Sequence, residues 1–263
     1  MNESAIQPTI AGLGAVRANH PRSLFFVGAS GLLFLVMLAG FSPTFYLQSL
    51  FPQAHRHAPA YVYFHGAVMT AWYLLVVTQM CLIPAGRRSL HRRLGIAGVV
   101  LAAIVVATGF HVNRNLVPRI AAVVAEPSPE LERVMALATI AGLLILGAFS
   151  LFVTAAILLR RNREAHGRLM FLALLATIGP ALGPARWLGQ AVAPVLPTWL
   201  GLIAPVTAAW VIALGLHDWF TRRRIHPVTL WGGLLLIALG PIAALVADSE
   251  VGRAIVIGSA WGR

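Results

Sequence analysis

Seven apolar stretches alternate along this chain with short polar turns, and each is close to the ~20 residues that cross a bilayer as a helix. They run over 23–42, 61–84, 94–113, 134–159, 169–190, 199–220 and 228–247. Runs of this length predict an all-α fold, a polytopic transmembrane bundle of seven helices. Residues 1–22 form a tail, 23–247 the transmembrane domain and 248–263 a second tail. The polar start is too long for a signal-peptide n-region and the run after it is long enough to span, which predicts an uncleaved first helix.

The turns carry the charge. The N-terminal tail and the turns after the second, fourth and sixth stretches hold Arg17, Arg22, Arg87, Arg88, Arg92, Arg93, Arg160, Arg161, Arg163, Arg168, Arg222, Arg223 and Arg224. The other side holds fewer arginines (Arg56, Arg114, Arg119, Arg133, Arg253, Arg263) together with Glu126, Glu130, Glu132, Asp248 and Glu250. The positive-inside rule then places the N-terminus in the cytoplasm and the C-terminus in the periplasm of a bacterial inner membrane.

Composition agrees with a membrane protein. The chain is 59% hydrophobic and 11% charged, with a mean hydropathy of +0.80, whereas soluble domains carry about a quarter charged residues. The net charge of +12 sits in turns and not on an extended basic face with interleaved aromatics, which argues against nucleic acid. The expected partners are the lipid bilayer and anionic headgroups on the arginine-rich side. All 20 basic residues are arginine, and the single cysteine, Cys81, excludes an internal disulfide, a Cys-x-x-Cys haem attachment and a one-chain iron–sulfur cluster.

Candidate chemistry rests on histidine. Each arginine-rich turn holds one: His91 within Arg87-Arg88-Ser89-Leu90-His91-Arg92-Arg93, His166 before Gly167-Arg168, and His226 after Arg222-Arg223-Arg224-Ile225. Such helix starts favour anions, so His91, Arg93, His166, Arg168 and His226 are candidate contacts for an anionic ligand or lipid headgroup. The shared His-x-Arg-Leu of His91–Leu94 and His166–Leu169 hints at repeated hairpins. On the second helix, His65, Trp72 and Gln79 recur every seven residues and share one face, which must point into the bundle because lipid cannot satisfy it. Gly66 invites close approach by another helix.

Counted from the arginine-rich side, His65 stands ~29 Å up its helix and His111 and Arg186 ~26 Å up theirs, which predicts one pocket near the opposite face. There His65 and His111 are metal-ligand candidates and Arg186 an anion partner. Gly179-Pro180 and Gly183-Pro184 predict a break in the fifth helix just below Arg186. Asp218 is expected either to orient a histidine such as His91 or His166 or, as the favoured reading, to neutralise Arg222 four residues on. His55-x-His57 lacks a third ligand, and no phosphate loop, His-Glu-x-x-His zinc helix, Gly-x-Ser-x-Gly elbow or di-iron acidic pair is present.

The runs Phe64-His65-Gly66, Leu90-His91-Arg92-Arg93-Leu94-Gly95, Glu164-Ala165-His166-Gly167-Arg168-Leu169-Met170 and Arg224-Ile225-His226-Pro227-Val228-Thr229-Leu230-Trp231-Gly232-Gly233 resemble a widespread group of uncharacterised bacterial multi-pass membrane proteins. The likeness spans roughly 41–233 and implies no particular activity. A looser similarity of arrangement, histidines near each face of a bundle, links the chain to cytochrome b561-type proteins, which hold haem. The resulting expectation is a histidine-lined site for b-type haem or a metal, used in electron transfer, with His65, His111, Arg186, Gln79 and Trp72 as its lining. A proton-coupled transporter and a non-catalytic scaffold or assembly factor are the alternatives.

Overall fold

The computed structural model describes residues 21–52, 58–124, 126, 128–182 and 200–254. Seven helices there are long and apolar enough to cross a membrane, as a multi-pass membrane protein requires. They are α1 (Pro21–Phe41), α2 (Ala60–Leu82), α3 (Arg88–Arg114), α4 (Pro129–Leu158), α5 (Arg163–Ala176, extended by the short helix Gly179–Leu182), α6 (Leu200–Arg222) and α7 (Pro227–Asp248). Large apolar side chains such as Ile96, Leu158, Trp231 and Leu245 cover the outside, as they must where the solvent is acyl chain.

The helices form a ring in the order α3, α2, α1, α6, α7, α4, closed by α4 against α3. The remaining helix, α5, fills the middle and touches α1, α2, α4 and α7. Its position is visible in burial: 72% of its apolar window is enclosed, against at most 33% in any other span. The hairpin partners expected from the sequence, α2 with α3, α4 with α5 and α6 with α7, all pack together.

Helix ends follow local chemistry, and several differ from the apolar runs. Gly86 adopts φ +73°, and the Arg87 and Gly86 amides bond back to the Leu82 and Ile83 carbonyls. This Schellman closure ends α2 and lets α3 begin at Arg88, ahead of the apolar run, so His91 lies within its first turn. Ser128 caps α4 by accepting from the Leu131 amide, with Pro129 behind it. Asn162 caps α5 through the Ala165 amide, so His166 is likewise helical.

The break predicted at Gly179-Pro180 is present. The helix stops at Thr177, and the Leu174 carbonyl accepts from the Thr177 amide, the Thr177 hydroxyl and the Tyr73 hydroxyl. The Leu174 carbonyl at the break is thus satisfied by protein.

Candidate functional site

The three groups expected to converge opposite the arginine-rich side are only partly placed. Arg186, like Gly183-Pro184, His55 and His57, lies outside the described residues. His65 Nδ1 is 2.9 Å from the Thr108 hydroxyl. That hydroxyl donates to the Ile104 carbonyl at 2.8 Å, so it accepts from His65, whose Nδ1 carries the proton. His111 stands one turn further along α3, exposed, with its ring edge-on to Tyr61 at 4.8 Å. His65 and His111 therefore make successive rungs of one α2–α3 seam, each with its own partner. Among the described residues no contact joins them, and no group of three or more His, Cys, Asp or Glu gathers anywhere.

The inward stripe on α2 is real, but it leads to the other end of the bundle. Gly66 admits the Phe45 ring, from the π-helical end of the first membrane span, Leu24–Tyr46. Trp72 is 1% exposed, packs edge-to-face on Phe149 at 5.0 Å, and its indole N–H has no partner. Two turns on, Gln79 Nε2 donates to the His91 carbonyl at 3.1 Å while its Oε1 is buried and unpartnered.

Beside Gln79 the structure joins two histidines that the sequence separates. The His91 and His166 rings lie 6.2 Å apart, centre to centre, at 84°. His166 Nδ1 is 2.9 Å from the Ala156 carbonyl. A carbonyl only accepts, so Nδ1 carries the proton and Nε2 offers a lone pair when the ring is neutral. His91 Nδ1 is buried without a partner. The unspent polar atoms of this region, on Trp72, Gln79 and His91, thus follow the α2 stripe to the pair. The shared His-x-Arg-Leu was the sequence signal for it, but nothing local shows that two helix starts face each other.

A buried ion-pair network stands next to the pair and corrects two expectations. Arg168 is no free cation: it is 4% exposed, and its Nε and Nη2 donate to Asp218, which is fully buried. Its Nη1 donates to the Glu164 carbonyl at 3.0 Å, and its guanidinium lies 5.9 Å from the centre of the Phe26 ring. Asp218 Oδ2 also accepts from the Thr229 hydroxyl at 2.6 Å and the His226 amide at 3.0 Å. Arg222, the expected partner of Asp218, pairs instead with Glu164. One carboxylate thereby ties α5, α6 and α7. Arg93 stays exposed, lining an open 420 Å³ groove with Arg87 and Arg88.

His226 caps α7, its Nδ1 accepting from the Val228 amide at 3.1 Å. Burial lowers its pKa, and the positive charges of Arg168, Arg222 and Arg224 lower it further, against the opposing pull of Asp218. Neutral His226 is therefore favoured by folding. Its contribution is complete above the ordinary histidine value of ~6.5 and is lost as pH falls below it. Protonation also removes the cap, worth about 1 kcal/mol. Detergent unfolding curves should show the wild type losing stability from pH 7 to pH 5 relative to His226→Asn, which caps but does not titrate. An equal gap at both pH values would discard this role.

No protein-family model, curated protein or solved structure matches this chain.

Proposed function

We propose that this multi-pass membrane protein holds a metal-centred redox cofactor, a b-type haem, between His91 and His166. The carrying observation is the spacing of the two rings, 6.2 Å between centres. Two imidazoles on opposite sides of one metal have ring centres about 6 Å apart, from metal–nitrogen bonds of ~2 Å and ring radii of ~1 Å. At this spacing His91 and His166 would be the two residues to hold such a group, and it would supply one-electron chemistry there.

Three further features support the reading. The Ala156 carbonyl orients His166 as outer partners orient metal-bound histidines. Gln79 Oε1 and His91 Nδ1 leave polar capacity at the pair unspent. Exposed Arg92, Arg93 and Arg163 flank it with positive charge suited to propionates. The chain's own groups would hold the haem and screen it from water. By the positive-inside rule this end faces the cytoplasm of a bacterial inner membrane. The transporter alternative rests on the break in α5, the buried His, Arg and Gln side chains and the hairpin repeat; the cofactor reading is preferred for the paired rings of His91 and His166.

The test is a reduced-minus-oxidised spectrum, with iron analysis, of protein purified after haem-supplemented expression. Wild type should show a b-type spectrum at about one haem per chain. His91→Ala and His166→Ala should each lose most of it, while His65→Ala and His111→Ala keep it. A flat wild-type spectrum without iron, or loss confined to the His65 and His111 variants, would end the proposal.

A further inference from the structure

An apolar groove of about 490 Å³ runs along the outer face of α6 and α7, walled by Ile212, Leu216, Trp219, Ile225, Leu230 and Leu234. A Cβ placed on Gly215, in its lining, meets nothing within 4 Å, so the groove is open there. Trp219 and Ile225 carry the groove to the α6–α7 turn, where Arg223 and Arg224 are exposed. Arg222 is engaged by Glu164, whereas neither Arg223 nor Arg224 has an acidic partner among the described residues.

We propose that this groove is a binding site for one anionic phospholipid, with an acyl chain along α6 and α7 and the phosphate against Arg223 and Arg224. The lining matches hydrocarbon, and the hydroxyl of its Thr229 is already spent on Asp218. Its arginine end supplies two uncommitted guanidinium groups where a headgroup would sit, the chemistry expected of basic pockets between spanning helices. Charge disfavours a second copy of this chain. Aligned the same way up, it would bring arginine turns against arginine turns, while Glu130, Glu132, Asp248 and Glu250 lie at the other end of the bundle. A neutral phospholipid would fill the groove but leave both arginines without a counter-charge.

Native mass spectrometry of the detergent-purified full chain, with added phosphatidylglycerol or phosphatidylcholine, tests this. Wild type should retain phosphatidylglycerol on the order of tenfold better than phosphatidylcholine. The double variant Arg223→Gln/Arg224→Gln should lose that preference. Gly215→Leu, whose Cβ meets nothing within 4 Å and whose side chain extends into the groove, should lower retention of both lipids. Equal retention by wild type, an unchanged preference in the double variant, or unchanged binding in Gly215→Leu would each overturn the site. A concentration-dependent dimer abolished by Gly215→Leu would assign the groove to a second copy instead.

Discussion

Asparagine at position 218 should cost the folded bundle about 3–5 kcal/mol, the penalty for stripping a buried charge of its counter-ion. Arg168 is 4% exposed and has no access to water through which to recover its solvation. Unfolding in mixed micelles, read as the denaturing detergent fraction at the midpoint, measures the loss. Replacing both partners, Arg168→Met with Asp218→Leu, should recover most of it, because no uncompensated charge then remains. The Arg133–Asp248 pair is the built-in contrast. It has similar bonding geometry but side chains that are 48% and 50% exposed, and Asp248→Asn should leave the midpoint almost where it was. Equal effects at 218 and 248 would refute the distinction.

Gly40→Ala should be the most damaging glycine substitution in α1, at about 3 kcal/mol. An added Cβ would overlap the Ala181 carbonyl oxygen, a backbone atom on the short helix that extends α5. No rotamer change relieves that contact, so α1 must move away from the central helix. Gly232 and Gly233 also admit close neighbours, but there a Cβ meets the side-chain ends of Leu172 and Val211, which can shift. Alanine at either should cost roughly 1–2 kcal/mol. Gly28, with nothing within 4 Å of its notional Cβ, provides the control and should tolerate alanine without loss. Thermal unfolding of the four variants in one detergent gives the ranking. A Gly40→Ala protein as stable as Gly28→Ala would show that the α1–α5 contact is not tight.

Much of the fold was legible because length and hydropathy of an apolar run are local properties. The seven spans, the inward α2 stripe and the break before Gly179-Pro180 all follow from neighbours in sequence. Helix starts were harder. The first turns of α3 and α5 carry arginines and lie outside the apolar runs, so His91 and His166 read as residues just ahead of the helices, whereas the Gly86 closure and the Asn162 cap place both inside the first turn. The charge pairing misled for a related reason. Arg222 sits one helical turn from Asp218 and is the obvious local partner, but the side chain that reaches it is Arg168, fifty positions away and buried beside it. Depth alone matched His65 with His111. Rotation about each helix axis, which depth does not specify, gave them separate partners.

The enclosed position of α5 bears on how the chain is made. With its extension to Leu182 the span has just the 20 residues a crossing needs, and it carries Arg168 one turn inside its start. Emerging from the ribosome, this segment gains little by partitioning alone, because the carboxylate that neutralises Arg168 has yet to be synthesised. Productive insertion therefore waits for the segment bearing residue 218, and chains truncated before it should be degraded while those ending beyond α7 accumulate.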